Sequence, residues 1–296
     1  MMYLKTLKFN LFFLLLALFV SNSGHAEGKI LENREINSSL LGKRVKYSVY
    51  LPEDYEISQK NYPVVYLLHG MGQNSSSWVQ EGEIKRNADR AIENGTIPPM
   101  ILIMPDAERT WYINSSDGKV LYEDFFIKEL IPEVEKTFRI RPERKYRGIA
   151  GLSMGGYGTF YYALKYPEMF SAAAPLSAAI RSDSTILKMT NEEYDGRFGK
   201  VFGLGLTGTN RLTPFYYAHS LLYTIKMKPA SELAKVRYWI DCGDDDGLSE
   251  GNCLAHILLA GKKVPHEFRI RDGAHNWTYW RSGIIEALKF IGDGFR

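Results

Sequence analysis

The feature that most constrains this chain is the pentapeptide Gly-Leu-Ser-Met-Gly at residues 151–155, in which Ser153 stands between two glycines. An apolar run over residues 146–152 leads into the serine, and apolar residues at helical spacing follow over residues 160–164. Strand, sharp turn and helix are the context in which Gly-x-Ser-x-Gly forms a nucleophile elbow. Glycine suits both flanks because strand and helix approach closely there and leave little room for a Cβ atom. The pattern predicts that Ser153 is a nucleophile, with an idle serine in a glycine-rich turn as the alternative.

Apolar segments of strand length alternate with helical patterns along most of the chain. The predicted strands cover residues 41–51, 62–68, 100–104, 146–152, 170–176, 236–242 and 264–270. The other predicted helices cover residues 83–93, 121–138, 250–260 and 284–291. Apolar residues at every second position of the first strand predict an antiparallel strand at one side of the sheet. The alternation as a whole predicts an α/β fold, a mostly parallel sheet with helices on both faces.

Residues 180–230 interrupt this alternation. They contain five glycines and scattered aromatic residues, and their apolar positions follow neither the helix nor the strand period. We interpret this segment as a cap or lid that is inserted over the edge of the sheet. Residues 27–296 are then one α/β domain, a size that allows a single large core.

Residues 1–26 have the composition of a secretory signal peptide. Lys5 and Lys8 precede an apolar run over residues 9–20, and Gly-His-Ala at 24–26 offers small residues at both positions that a signal peptidase reads. The run is short for a bilayer, so a retained anchor is the less favoured alternative. The sequence predicts bacterial export to the periplasm or the medium, without stable membrane insertion after cleavage.

The net charge and the cysteine count exclude some classes of partner. Removal of Lys5 and Lys8 lowers the formal charge from +3 to about +1, and no basic stripe remains, so nucleic acid is not an expected partner. Cys242 and Cys253 are too few for a metal cluster and are expected to be buried thiols, with a disulfide as the alternative.

A serine nucleophile needs a base, because its hydroxyl does not ionise at neutral pH, and the base needs an orienting carboxylate. In folds with this elbow the order along the chain is serine, acid, histidine. Of the six histidines, only His275 lies in a glycine-flanked loop directly after a late strand. His275 is therefore the predicted base, and an ordinary surface histidine is the alternative.

The candidate acids are the aspartates within residues 241–246. Asp241 still belongs to the apolar strand, whereas Asp246 lies furthest into the loop and precedes Gly247. Position alone favours Asp246 and leaves Asp244 open. The acidic run also suggests calcium, but its spacing does not fit an EF-hand loop, so neither a metal nor a cofactor is expected.

An oxyanion formed at Ser153 needs backbone N–H donors. The N–H of Met154 directly follows the nucleophile at the start of a helix, where the helix dipole also favours negative charge. The second donor should come from His-Gly-Met-Gly at residues 69–72, after the strand 62–68. We prefer Met71 to Gly70 for this role, and a plain tight turn is the alternative.

Several aromatic residues lie in or near the same loops. Trp111 and Trp277 are our candidates for contact with the substrate, since pockets for small molecules are commonly lined by aromatic side chains. Ordinary packing explains either residue equally well.

Five stretches together resemble the esterase D-like, or putative esterase, family of α/β-hydrolases. This family includes tributyrin-type acetyl esterases, feruloyl esterases, S-formylglutathione hydrolases and mycolyltransferases. The stretches are Pro-Val-Val-Tyr-Leu-Leu-His-Gly-Met at 63–71, Met-Pro-Asp at 104–106, Gly-Leu-Ser-Met-Gly-Gly-Tyr-Gly at 151–158, Cys-Gly-Asp-Asp-Asp at 242–246 and Gly-Ala-His-Asn-Trp at 273–277. The resemblance spans about residues 40–292. It implies the α/β-hydrolase fold.

The family's functional positions fall on residues already selected. The resemblance puts the nucleophile on Ser153 and the histidine on His275, and its Gly-x-x-Asp turn puts the acid on Asp246. Its oxyanion donors fall on Met154 and Met71. Residues 180–230 match no single subgroup of the family, so the resemblance names no substrate.

These observations predict an exported, cofactor-independent serine hydrolase that acts on small-molecule carboxylic esters. Acyl transfer to a sugar or lipid hydroxyl, as in the mycolyltransferases, needs the same residues and is one alternative. A catalytically inactive binding protein on the same scaffold is the other alternative. The sequence carries no prediction of oligomeric state.

Overall fold

The computed structural model describes residues 27–296, and the predicted signal peptide lies outside the described residues. Eight strands form one sheet in the order β1-β2-β4-β3-β5-β6-β7-β8. The strands are β1 (Lys29–Ser38), β2 (Lys43–Leu51), β3 (Val64–Leu68), β4 (Ile101–Pro105), β5 (Arg147–Leu152), β6 (Ala172–Leu176), β7 (Arg237–Gly243) and β8 (Glu267–Arg271). β2 is antiparallel to both β1 and β4, and every other neighbouring pair is parallel. The predicted mostly parallel sheet is therefore confirmed.

β1 is the strand that the sequence did not predict. Most of its residues are exposed and its register shifts between Leu31 and Arg34, so it lacks the regular apolar alternation that marks a half-buried strand. β2 is antiparallel, as predicted, but it lies one position inside the edge of the sheet because β1 covers its outer side.

Helices cover both faces of the sheet, as the alternating pattern predicts. They are α1 (Ser77–Gln80), α2 (Ile84–Glu93), α3 (Tyr122–Phe125), α4 (Ile131–Thr137), α5 (Met154–Lys165), α6 (Asp183–Lys188), α7 (Asn191–Tyr194), α8 (Lys200–Phe202), α9 (Pro214–His219), α10 (Leu221–Met227), α11 (Ala230–Leu233), α12 (Ser249–Gly261) and α13 (Trp277–Asp293). Apolar residues of α3, α4, α5 and α12 fill the core on one face. Those of α1, α2 and α13 fill the core on the other.

The last helix begins earlier than predicted. We expected a helix over residues 284–291, whereas α13 starts at Trp277, two residues after His275. Asn276 caps it, because its side-chain oxygen accepts the Tyr279 N–H at 3.1 Å. The aromatic residues of the first turns hid this start, since the apolar pattern becomes regular only further along the helix.

Six short helices, α6 to α11, occupy the segment between β6 and β7 that we interpret as an insertion. Their apolar side chains join the core on the face of α5. Arg211 is 1% exposed and its guanidinium donates to the carbonyls of Ile186 and Met189, at 3.1 and 2.7 Å, and to the Asn191 side chain at 2.7 Å. Buried arginine contacts therefore organise this segment from within. That it acts as a lid stays a prediction.

Two further features concern the described residues as a whole. Cys242 and Cys253 are both free thiols, the first buried and the second half-buried. Within residues 27–296, no helix is both long enough and apolar enough to cross a bilayer.

The parallel strands place the predicted site residues at one edge. β3, β5, β7 and β8 run in the same direction, so the loops that follow them lie at their shared carboxyl end. Ligands of such sheets bind in this position. The edge carries Met71, Ser153, Asp246 and His275.

Candidate active site

Ser153 occupies a strained turn between β5 and α5. Its φ of 55° and ψ of −115° lie outside the regions that a residue with a side chain normally adopts. A Cβ on Gly155 would lie 2.4 Å from the Leu68 carbonyl oxygen, and one on Gly151 would lie 2.6 Å from the Gly155 oxygen. The two glycines therefore permit the close packing of α5 against β3 and β5 that presents Ser153 at the tip.

A continuous line of hydrogen bonds joins the serine to a buried carboxylate. His275 Nε2 lies 2.9 Å from Ser153 Oγ, and His275 Nδ1 lies 2.7 Å from Asp246 Oδ2. With a proton on Nδ1, the imidazole donates to the carboxylate and its Nε2 accepts from the hydroxyl. The His275 side chain is 36% exposed, whereas that of Asp246 is fully buried. A base at the surface is thus oriented by an acid beneath it.

Asp246 stays ionised in spite of its burial. Desolvation acts to raise the pKa of its carboxyl, but the hydrogen bond and charge of His275, the Leu248 N–H at 2.8 Å and the Ser177 hydroxyl outweigh it and hold the pKa below the usual value. Of the other candidate acids, Asp241 is buried in an ion pair with Arg271, and Asp244 is exposed. The structure brings only Asp246 of these three to His275.

The loop after β3 lies beside the nucleophile. A Cβ on Gly70 would be 3.4 Å from the Ser153 Cβ, and the Gly70 N–H donates to Gln73 Oε1 at 2.8 Å. The neighbouring Met71 N–H has no acceptor among the described residues. The Met154 N–H lies at the first position of α5, where no intrahelical partner exists. The two candidate donors therefore belong to different segments, Met71 to the loop after β3 and Met154 to the first turn of α5.

His69, which we did not select as the base, orders this loop. It is 1% exposed; its Nδ1 lies 2.8 Å from the Gly70 oxygen, and its Nε2 accepts the Ala107 N–H at 2.9 Å. The ring therefore ties the β3 loop to the β4 loop.

The two candidate aromatic residues both make packing contacts. Trp111 is 3% exposed, its Nε1 donates to the Arg197 oxygen at 2.8 Å and its ring stacks on Phe198 at 4.6 Å. It therefore joins the β4 loop to the inserted helices. Trp277, half-buried, stands edge-on to Trp78 and Trp280 at 5.2 and 5.3 Å. Contact of either residue with a substrate stays a prediction.

Two further residues, Ser177 and Trp280, lie beside the acid and the base, and we did not select either as a site residue from the sequence. Ser177 is fully buried with a φ of 44°, and its Oγ accepts Trp280 Nε1–H at 3.1 Å. Its hydroxyl also helps to hold the pKa of the Asp246 carboxyl below the usual value. Trp280 also stands edge-on to the His275 ring at 4.9 Å. Only the fold brings this serine and this tryptophan to the acid and the base.

One group of carboxylates offers the donors of a cation site. Oxygens of Asp244, Asp245 and Asp272 lie within 4.8 Å of one another, and all three residues are exposed. Asp244 Oδ1 already accepts the Asp245 and Gly273 N–H groups at 3.1 and 3.0 Å. These bonds hold the β7 loop against the β8 loop and so support the position of Asp246.

Curated relatives of this chain are named as esterases. It is 39% identical over 140 residues to an endo-1,4-beta-xylanase/feruloyl esterase of Xylanibacter ruminicola, which is 45% of this chain and 19% of that protein. It is 29% identical over 255 residues to an esterase of Mycobacterium tuberculosis, 80% of this chain and 54% of that protein. An acetyl esterase of Caldicellulosiruptor saccharolyticus is 25% identical, with 86% and 95% coverage. The chain spans about half or less of the length of the first two relatives.

Solved structures agree with these relatives. A ferulic acid esterase superposes with a TM-score of 0.79 at 29% identity, over 91% of this chain and 99% of that one. A fluorophosphonate-binding serine hydrolase of Staphylococcus aureus, FphF, gives a TM-score of 0.74 at 25% identity, over 90% and 98%. The predicted α/β-hydrolase fold is confirmed. Residues 38–291 match the family model described as putative esterase, so this chain belongs to the putative esterase family, as its motifs predicted.

Proposed function

We propose that this chain is an exported serine hydrolase of carboxylic esters that works through an acyl-enzyme on Ser153. The observation that carries the proposal is the unbroken line from Ser153 Oγ to His275 and Asp246, at 2.9 and 2.7 Å, at the tip of a strained elbow. Membership of the putative esterase family supports the same reaction. Small-molecule esters are the proposed substrates.

In the acylation step, Ser153 Oγ attacks the ester carbonyl while His275 Nε2 accepts the hydroxyl proton. The carbonyl carbon gains a bond to Oγ, and its oxygen becomes an oxyanion. When the tetrahedral intermediate collapses, the bond to the alkoxy oxygen breaks and His275 gives its proton to the departing alcohol. Water then repeats the sequence on the acyl-enzyme and releases the acid.

The oxyanion is stabilised by the N–H groups of Met71 and Met154. Both are held by backbone that does not need to reorganise, one in the β3 loop and one at the first turn of α5. Preorganised donors of this kind are worth roughly 3 kcal/mol each to the transition state. Asp246 keeps His275 in the productive tautomer and stabilises the imidazolium that forms.

The test is Ser153→Ala, which should abolish hydrolysis of p-nitrophenyl acetate and labelling by a fluorophosphonate probe. Ser184→Ala is the matched control, because Ser184 is exposed on α6. We expect this control to retain both activities, with circular dichroism of both variants unchanged. Full hydrolysis by Ser153→Ala would refute the assignment of the nucleophile.

Export rests on the composition of residues 1–26. The proposal predicts that protein recovered from the periplasm or medium of a bacterial host begins after residue 26, as N-terminal sequencing would determine. Intact residues 1–26 on protein held at the membrane would favour the retained anchor instead.

A further inference from the structure

Asp241 is a fully buried carboxylate that the proposed mechanism does not use. It lies in β7, five residues before Asp246, and its side chain has no exposed surface. Arg271 donates to both of its oxygens, from Nε at 3.1 Å and from Nη2 at 3.1 Å. The Tyr279 hydroxyl donates to the same carboxylate. One buried group therefore binds side chains from β8 and from α13.

These two donors lie on either side of His275 in the sequence. Arg271 is the last residue of β8, four positions before the histidine, and Tyr279 lies in the first turn of α13, four positions after it. Residues 272–278, which lie between them, are all exposed or half-buried. Both ends of the loop that carries His275 are therefore fixed to a single point in the interior.

Packing holds both donors close to Asp241. A Cβ on Gly283 would lie 2.4 Å from Arg271 Nη2, and one on Gly273 would lie 2.5 Å from the Tyr279 ring. The Arg271 guanidinium lies over the Tyr279 ring, 4.3 Å from its centroid. Burial and the neighbouring carboxylate raise the pKa of Tyr279, so its hydroxyl stays protonated and donates. We call Asp241, Arg271 and Tyr279 the Asp241 anchor.

The backbone of Asp241 is connected to the acid of the site. Its carbonyl oxygen accepts the Ser177 N–H at 2.6 Å, and the Ser177 hydroxyl helps to hold the pKa of Asp246 below its usual value. β7 ends two residues after Asp241, and Asp246 follows in the next loop. Asp241 thus supports the segments that carry both the acid and the base.

We propose that Asp241 is a positioning residue that sets the place of His275 relative to Ser153 and Asp246. The inference rests on the proposed function and adds a residue that contacts neither the nucleophile nor the base. His275 has to meet Ser153 at 2.9 Å and Asp246 at 2.7 Å at the same time. A displacement of about 1 Å at a catalytic group costs roughly 10²-fold in rate, so the anchoring of both loop ends acts directly on catalysis.

The first test is Asp241→Asn, which keeps the shape of the side chain but turns one of its two acceptors into a donor. We expect kcat for p-nitrophenyl acetate to fall about 10²-fold. KM should stay nearly unchanged, because His275 serves both acylation and deacylation and the two steps slow together. Complete labelling with a fluorophosphonate probe counts the active sites, so kcat is expressed per competent molecule.

Glu135→Gln is the matched control for the loss of a buried ion pair. Glu135 accepts from Arg147 Nε at 2.8 Å, and the two side chains are 14% and 9% exposed. Arg147 is the first residue of β5, at the opposite end of the sheet from Ser153. This variant should lower the midpoint of unfolding, as Asp241→Asn does, but leave kcat unchanged.

Tyr279→Phe is a second test, which keeps the buried ring and removes only the hydroxyl. Loss of one hydrogen bond to a charged group should lower kcat roughly tenfold. Tyr50→Phe is its control, because that buried tyrosine donates to Asp89 at 2.7 Å and pairs with Leu102 near the amino end of β4. The double variant of Asp241→Asn with Tyr279→Phe should be no slower than Asp241→Asn, since both changes act through one carboxylate.

Three results would overturn the inference. They are an unchanged kcat in Tyr279→Phe, a loss of kcat in Glu135→Gln equal to that in Asp241→Asn, and fully additive losses in the double variant. If Asp241→Asn does not fold, the comparison of Tyr279→Phe with Tyr50→Phe decides alone. Failure of the unaltered protein to hydrolyse p-nitrophenyl acetate would instead count against the proposed function itself.

Discussion

The sheet edge and the inserted helices lie next to each other at the candidate site, but different kinds of structure hold them in place. At the edge, Ser153 and His275 follow strands that pair in parallel within the eight-stranded sheet, and the orienting carboxylate of Asp246 is fully buried. The insertion consists of helices of three to seven residues whose centre is the buried guanidinium of Arg211. The difference teaches that the groups proposed for bond breaking sit on the rigid part. The insertion contacts the loops of this edge through its backbone, where the Arg197 oxygen accepts Trp111 Nε1–H.

The largest effect on activity should come from replacing Asp246, the buried acid at the sheet edge. Asp246→Asn keeps the shape of the side chain but favours the wrong tautomer of His275, so we expect kcat to fall by about 10³ to 10⁴. Steady-state hydrolysis of p-nitrophenyl acetate measures this. Asp244→Asn is the matched control, because that exposed carboxylate only accepts backbone N–H groups. A comparable loss of kcat in the control would reverse the choice of acid.

Removal of the buried Arg211 guanidinium should destabilise the insertion. Arg211→Met leaves several carbonyl oxygens of α6 and its surroundings without their donor, and we expect a loss of about 3 kcal/mol in the free energy of unfolding. Denaturant titration measures the loss, with Arg34→Met as the exposed control. Because the edge is built separately, the native variant should still react with a fluorophosphonate probe at Ser153. An unchanged unfolding midpoint, or lost labelling of the native variant, would contradict this separation of the two regions.

A smaller effect is expected from Ser177, which lies beside the buried acid at the sheet edge. Ser177→Ala removes a hydroxyl that helps to hold the pKa of Asp246 below its usual value, so that pKa should rise. A depressed carboxyl pKa contributes stability above the unfolded value, and this contribution is lost as the pH falls through the folded pKa. In the variant the loss should begin at a higher pH. We expect a free-energy cost of about 1 kcal/mol and a shift of the acid limb of kcat/KM to higher pH.

The pH profile of kcat/KM and acid unfolding together measure this change. Ser177→Gly is the companion variant, since glycine relieves the φ of 44° but also lacks the hydroxyl. If the role of Ser177 is to position the acid, both variants shift the acid limb equally. If the acid limb of the kcat/KM profile shifts in neither variant, Ser177 contributes only to packing.

The sequence predicts the edge better than the insertion for physical reasons. The turn at Ser153 requires glycine within a few residues, and a buried parallel strand such as β3 is a continuous apolar run, so both leave local patterns in the sequence. The helices of the insertion are too short to establish a period. We did not predict β1 because its exposed residues show no regular alternation, and we placed the start of α13 too late because its apolar pattern becomes regular only after the first turns.

Contacts between residues far apart in the sequence are the other feature that could not be predicted. Ser177 lies 103 positions before Trp280, and their hydrogen bond forms only when the segment after β6 packs against α13. The spacing of residue types along the sequence does not indicate contacts between positions so far apart. The choice of Asp246, by contrast, came from a turn motif four residues long, which is why the sequence supplied it.

The cap of α13 has a practical consequence for producing the protein. Asn276 is followed by Trp277 and Thr278, which is an acceptor sequence for N-linked carbohydrate in a eukaryotic secretory pathway. The asparagine is exposed and directly adjoins His275. A glycan attached there would cover the sheet edge that carries Ser153. Secretion from yeast or insect cells is therefore expected to give folded protein with a blocked active site, whereas expression in bacteria should leave the site accessible.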